Sequence, residues 1–158
     1  MQLLLYFLFT AAVLVADQVT KYLTFTQIPL HGFVEFIPNV LSFTYVQNDG
    51  AAFSIFAGKQ WLFALIFVVL TVLLVVEYCK KTMPFTRFEW WCIVAVYAGG
   101  LGNMIDRIRF GYVVDMIKTE FMNFPVFNVA DCFITCGCIA LIVHLILFNK
   151  EFWKEEKK

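Results

Sequence analysis

Four long apolar runs constrain this chain more than anything else in it: about 3–20, 61–78, 90–108 and 129–148. A helix crossing the roughly 30 Å hydrocarbon core of a bilayer needs about 20 mostly apolar residues. Lipid offers no partner to an unpaired backbone N–H or C=O, so each run is expected to be helical. Trp61 opens the second run, Trp90 and Trp91 open the third, and Trp153 follows the fourth. Tryptophan at those positions suits a membrane–water interface. Hydrophobic residues make up 61% of the chain and charged residues only 15%, against about a quarter charged in a soluble domain. The excess apolar surface has to face lipid. A single membrane-embedded domain over 1–158 is expected.

The first run is read as retained. It lacks the positive start of a cleaved signal peptide, although alanines at 11, 12 and 16 resemble a cleavage site. Asp17 and Lys21 follow directly, and they belong with the polar residues discussed below.

An even number of spans puts both ends on one side. Lys80, Lys81, Arg87, Lys150, Lys154, Lys157 and Lys158 share that side, seven against the five of Lys21, Lys59, Arg107, Arg109 and Lys118. The positive-inside rule then makes the termini cytoplasmic. The segment 23–60 falls outside, where Phe33, Phe36, Leu41, Phe43 and Tyr45 mix with polar residues. That mixture suggests short strands on the membrane surface, either a packed loop or a platform beside an active site.

Ionisable groups at membrane depth are costly and point to function by default. Here they gather at the outer ends of the runs. Asp17 and Lys21 are one helical turn apart, in the favourable order for an ion pair. If exposed, that pair is worth under about 1 kcal/mol and has no role beyond the interface. Asn48-Asp49-Gly50-Ala51-Ala52-Phe53-Ser54 reads as a turn followed by small residues, either a plain loop or a place where another backbone approaches closely. Gly99-Gly100-Leu101-Gly102-Asn103-Met104-Ile105-Asp106-Arg107 ends the third run. Close helix packing explains Gly99 and Gly102, but not Asn103, Asp106 and Arg107. Asp115 follows a short apolar segment, and Asp131 starts the fourth run. Helix capping accounts for Asp131 and Asn128 taken singly. It does not account for two acids converging from separate segments.

Two neighbouring carboxylates can hydrolyse an amide. Like charges held close cannot both ionise cheaply, so one member keeps a proton while the other takes one from water. No metal or cofactor is needed. Neither His31 nor His144 sits in a metal-ligand pattern, and Ser54 has no nearby base in sequence. Cys79, Cys92, Cys132, Cys136 and Cys138 form no Cys-x-x-Cys pair or disulfide framework. A formal net charge of zero gives no reason to expect nucleic acid. Three other readings compete: a small transporter, a cysteine-based redox protein, and a scaffold whose acids only cap helices. Transport sites usually lie near the centre of the bilayer, where these runs carry no ionisable residues.

The blocks Asp17-Gln18-Val19-Thr20-Lys21, 48–54, 102–115 and 127–131, in that order on a four-run chain, resemble the prolipoprotein signal peptidases, or signal peptidase II. The resemblance covers nearly the whole chain. It implies four transmembrane helices with a small extracytoplasmic β-sheet cradle, in a bacterial cytoplasmic membrane. It implies a catalytic pair at Asp115 and Asp131. Supporting roles fall to Asp17, Lys21, Asn48, Gly50, Asn103, Asp106, Arg107, Asn128 and Ala130. The implied substrate is a diacylglyceryl-modified prolipoprotein cut just before its lipidated cysteine, with membrane lipid around it and the cyclic peptide globomycin as an inhibitor. Met116 stands where the family commonly has Phe, and Gln47 where a basic residue is common. Both bear on how a substrate or inhibitor fits.

Overall fold

The computed structural model describes residues 1–50, 56 and 58–154. Among them are four helices, α1 (Gln2–Gln27), α2 (Gln60–Lys80), α3 (Arg87–Phe110) and α4 (Val129–Leu147). The strands are β1 (Phe33–Ile37), β2 (Leu41–Asn48) and β3 (Val113–Thr119). The helices follow the apolar runs to within a few residues, with one larger departure. Residues 23–27, expected outside, continue α1. Nothing stops that helix before Pro29, whose ring disfavours helical backbone at Ile28. Ile28 is accordingly extended, with φ −112° and ψ 122°.

α1, α2 and α4 are long and apolar enough to cross a membrane. α3 does not match them in apolarity, although it has 24 residues. It carries Glu89, Asp106, Arg107 and Arg109, and it packs against the other three helices. A helix surrounded by helices need not be lipid-compatible on every face. The contrast with α2 makes the point. α2 buries no residue at all, whereas α3 buries Glu89, Ala98, Gly99, Gly102, Asn103 and Asp106 among others.

The approach of α4 to α3 is close. A Cβ at Gly99 would stand 2.4 Å from the Ala130 carbonyl oxygen, and one at Gly102 would stand 2.6 Å from Asp17 Oδ2. Any side chain there would push α4 or α1 away, so packing accounts for these two glycines as expected.

The strands form one antiparallel sheet in the order β1-β2-β3. β1 is the edge, and all five of its residues are exposed. β3 comes from the link between α3 and α4, so the sheet is stitched to the bundle from both sides. Val46 pairs with Asp115 and Asn48 with Val113, with an irregularity between Phe43 and Val46. Alternation along β3 sends Val113 and Asp115 to one face. Val114 and Met116 go to the other, where they pack with Tyr45, Ile28 and Phe43.

Candidate active site

Asp115 and Asp131 reach one cavity of about 480 Å³ from different elements, β3 and the first turn of α4. Asn128 joins them. Its side chain caps α4 by accepting from the Asp131 N–H at 3.0 Å, and the Asp131 carboxylate accepts from the Asn128 N–H at 3.1 Å. The Nδ2 of Asn128 also donates to Asp115 Oδ1 at 2.6 Å. One asparagine therefore sets both the helix start and the second carboxylate. Asn103 Nδ2 donates to Asp131 Oδ1 at 2.7 Å, and Asn48 Nδ2 donates to Asp115 Oδ2 at 2.9 Å.

Asp115 is 2% exposed. Burial pushes its carboxyl up to about 6, and the nearby Asp131 charge adds to the rise. The donors Asn48 and Asn128, and more distantly Lys21, pull the other way without cancelling it.

Behind the cavity lies a second, buried network. Lys21 Nζ is 2.9 Å from Asp17 Oδ2, 3.0 Å from Asp106 Oδ2 and 2.9 Å from Asn103 Oδ1. Side chains 3% exposed for Lys21 and 1% for each acid exclude the exposed interfacial pair. The rules for buried ions apply instead, under which losing one partner costs about 3–5 kcal/mol. The network holds the backbone as well as itself. Asp17 Oδ1 accepts from the Ala130 N–H at 3.0 Å, and Asp106 Oδ2 accepts from the Val114 N–H at 3.1 Å. Asp17 thus fixes α4 one residue before Asp131, and Asp106 fixes β3 one residue before Asp115. Ala130, fully buried, has to be small because Gly99 and Gly102 lie directly against it.

Arg107 reaches the cavity wall on another route. Its Nη2 donates to the Gly50 carbonyl at 2.7 Å, and its guanidinium lies 4.4 Å from the Phe63 ring centre. Gly50 is held in turn by its N–H donating to Asn48 Oδ1 at 3.0 Å. Residues 51–54 of that motif, Ser54 included, lie outside the described residues, as do Lys157 and Lys158.

Of the site residues expected from sequence, Asn48, Asn103, Arg107, Asp115 and Asp131 line the cavity, Asp17, Lys21 and Asp106 form the network behind it, Asn128 and Ala130 are bonded to one or the other, and Gly50 lies outside both, held by Asn48 and Arg107. Reading the sequence missed Gln18, whose Nε2 donates to Asp106 Oδ1 at 3.0 Å and lies 3.2 Å from Asp17 Oδ2. Its place between Asp17 and Lys21 in the first motif block was the available signal. It also missed the apolar wall from Phe124 to Phe127 and the α4 face of Cys132, Thr135 and Cys136. His144, read as isolated, lies 2.9 Å from Glu89 Oε1 at the other end of the bundle. Met116 faces away from this cavity and lines a groove against α1. Among the described residues no cluster of His, Cys, Asp and Glu is arranged to hold a metal ion.

A family model described as Signal peptidase (SPase) II matches residues 9–147. The chain belongs to the signal peptidase II family. Among its relatives in this family is a lipoprotein signal peptidase of Enterococcus faecalis, 43% identical over 94% of this chain and 91% of the relative. One from Lactococcus lactis is 44% identical over 87% and 90%. A solved structure described as a bacterial membrane enzyme at 2.3 Å resolution superposes with a TM-score of 0.85 at 36% identity, covering 97% of this chain and 93% of that one. A second, at 1.9 Å, gives 0.81 at the same 36% identity. The chain is therefore a membrane-integral peptidase, and its fold is that of solved membrane enzymes.

Proposed function

We propose that this chain is an intramembrane aspartic endopeptidase that removes the signal peptide from diacylglyceryl-modified prolipoproteins, cutting just before the lipidated cysteine. The observation that carries the reading is the pair of carboxylates, from β3 and α4, brought to one cavity and bridged by Asn128. The names of the relatives support the prolipoprotein substrate.

Asp115 is the member that holds the shared proton, because its burial favours the neutral form. Asp131, half-buried in the cavity wall, takes the proton of an attacking water. Asp115 then polarises the scissile carbonyl and serves the leaving nitrogen. Asn103 and Asn128 keep the pair aimed. Arg107 anchors Gly50 beside the cavity, and the Asp17–Lys21–Asp106 network positions the two backbone segments that carry the acids.

All four helices span the bilayer in this reading. α3 crosses as the protein-covered member, and the sheet forms a cradle on the extracytoplasmic surface of a bacterial inner membrane. Burial of Lys21 in the network and contact of Arg107 with Gly50 remove two cations from the outer count. That strengthens the positive-inside argument for cytoplasmic termini. The substrate arrives sideways through lipid, and globomycin occupies the same cavity.

The test is cleavage of a diacylglyceryl-modified prolipoprotein by the purified chain and by Asp115→Asn and Asp131→Asn. Asn keeps the shape and removes the titrating proton. Folded variants that lose activity support the pair. Normal turnover by either one makes that aspartate structural and ends this mechanism. An inactive parent chain ends the substrate reading.

A further inference from the structure

The α4 wall of the cavity carries a feature that the mechanism does not use. Cys132, Thr135 and Cys136 line it together with Asp131. Spacings of three and four residues put them on one helix face. Cys136 is exposed and Cys132 half-buried. The other three cysteines do not line this cavity: Cys92 is buried, Cys138 is half-buried, and exposed Cys79 lies near the far end of α2. The rest of the wall is largely apolar, with Val113, Phe124, Pro125 and Phe127. Arg107, from α3, lines the same cavity.

We propose that Cys136, with Cys132 one turn closer to the carboxylates, is a covalent-modification site inside the cavity for lipophilic Michael acceptors. The class follows from the surroundings. A thiol is the soft nucleophile of this wall, and a neutral, membrane-partitioning α,β-unsaturated carbonyl can reach an apolar cavity in a membrane protein. The thiol sulfur adds to the alkene carbon and a carbon–sulfur bond forms. The π bond breaks, and the thiol proton ends on the neighbouring carbon. Nothing leaves, and no oxidant is required. The adduct occupies space in a cavity of about 480 Å³ and keeps the substrate out. The blocking effect rests on the proposed function, whereas the modification itself does not.

The experiment treats the full chain in detergent with N-ethylmaleimide. Labelling of each cysteine is followed by peptide mass spectrometry, in parallel with prolipoprotein cleavage. Cys136 is expected to label at least 10-fold faster than Cys92. Activity should fall in step with Cys136 labelling, and a non-hydrolysable lipopeptide of the substrate sequence should slow that labelling several-fold. Cys79→Ser should inactivate at the parent rate, whereas Cys136→Ser should inactivate several-fold more slowly than the parent. Retained cleavage with Cys136 fully modified overturns the proposal, and so does labelling unaffected by the lipopeptide while the parent cleaves normally. If the parent chain cleaves no prolipoprotein, the functional reading falls. The Cys136-to-Cys92 labelling ratio then decides the site by itself, and a ratio near one overturns it.

Discussion

α3 carries buried acid at both of its ends. At its C-terminal end Asp106 shares Lys21 with Asp17, and Asp115 and Asp131 stand in a cavity alongside. At its N-terminal end Glu89 is fully buried and saturated. It accepts from the Thr86 N–H at 2.6 Å and from Asn149 Nδ2 at 2.8 and 2.9 Å, with His144 Nδ1 2.9 Å away. Asn149 also donates to the Pro84 carbonyl at 2.9 Å, so this cluster clasps the chain after α4 to the loop before α3. Neither Glu89 nor His144 lines a cavity described for the site end. The lesson is that buried charge alone does not mark a site. At one end every acceptor is used to hold chain together. At the other the acids also hold backbone and accept hydrogen bonds, but two of the carboxylates line a cavity.

The strongest way to break this contrast is to remove the titrating groups. Asp115→Asn and Asp131→Asn should each lower turnover by about 10²–10⁴-fold, measured on the prolipoprotein with folding checked by circular dichroism. Glu89→Gln should leave turnover per folded molecule unchanged. Equal losses at both ends would erase the distinction. Next in size is Lys21→Met, which strands two buried carboxylates and should cost about 3–5 kcal/mol of stability, read from denaturant unfolding in detergent. A loss below 1 kcal/mol would mean the network is not held as described.

A third test exploits pH. The Asp115 carboxyl is raised from 3.8 to about 6, so the folded state binds the proton more tightly than the unfolded state. Its contribution to stability is full below about pH 4 and is lost as pH rises through about 6, an effect of about 3 kcal/mol. Asp115→Asn removes that dependence. Relative to the parent, the variant should gain about 3 kcal/mol between pH 4 and pH 8. A constant difference would place Asp115 in a wetter setting than the cavity shows. Smaller still, Gly99→Ala should cost about 1–3 kcal/mol by overpacking against Ala130, and it should reduce activity because α4 carries Asp131. Glu89→Gln, which keeps shape but loses charge, should cost a similar 1–3 kcal/mol without that kinetic effect.

Much of this was legible from residue order, for a physical reason. An apolar helix tolerates few polar residues, so Asp17, Asn103, Asp106 and Asp131 stood out against their background. Lengths were legible too, except where α1 runs on to Gln27 through Thr24 and Thr26, which can bond their own helix backbone. What could not be read was partnership. Asp17 meets the Ala130 amide 113 positions away, and Glu89 meets His144 55 positions away. No local spacing encodes either. Met116 bore on substrate fit because it stands, next to Asp115, where the family commonly has Phe. The strand turns that neighbour to the opposite face.

That alternation bears on how such a chain can change over generations. Asp106 grips β3 at the Val114 amide and Asn48 grips it at Asp115, so the strand is registered at two consecutive residues. A one-residue slip of β3 against β2 would swing the thioether of Met116 into the cavity and bury the carboxylate among Tyr45 and Phe43. Lineages can exchange side chains along this stretch one by one. They can alter chain length at the bend at 111–112, or beyond Thr119 where the sheet has ended. The length of the strand from Val113 to Thr119 should therefore be inherited more strictly than most of the residues within it.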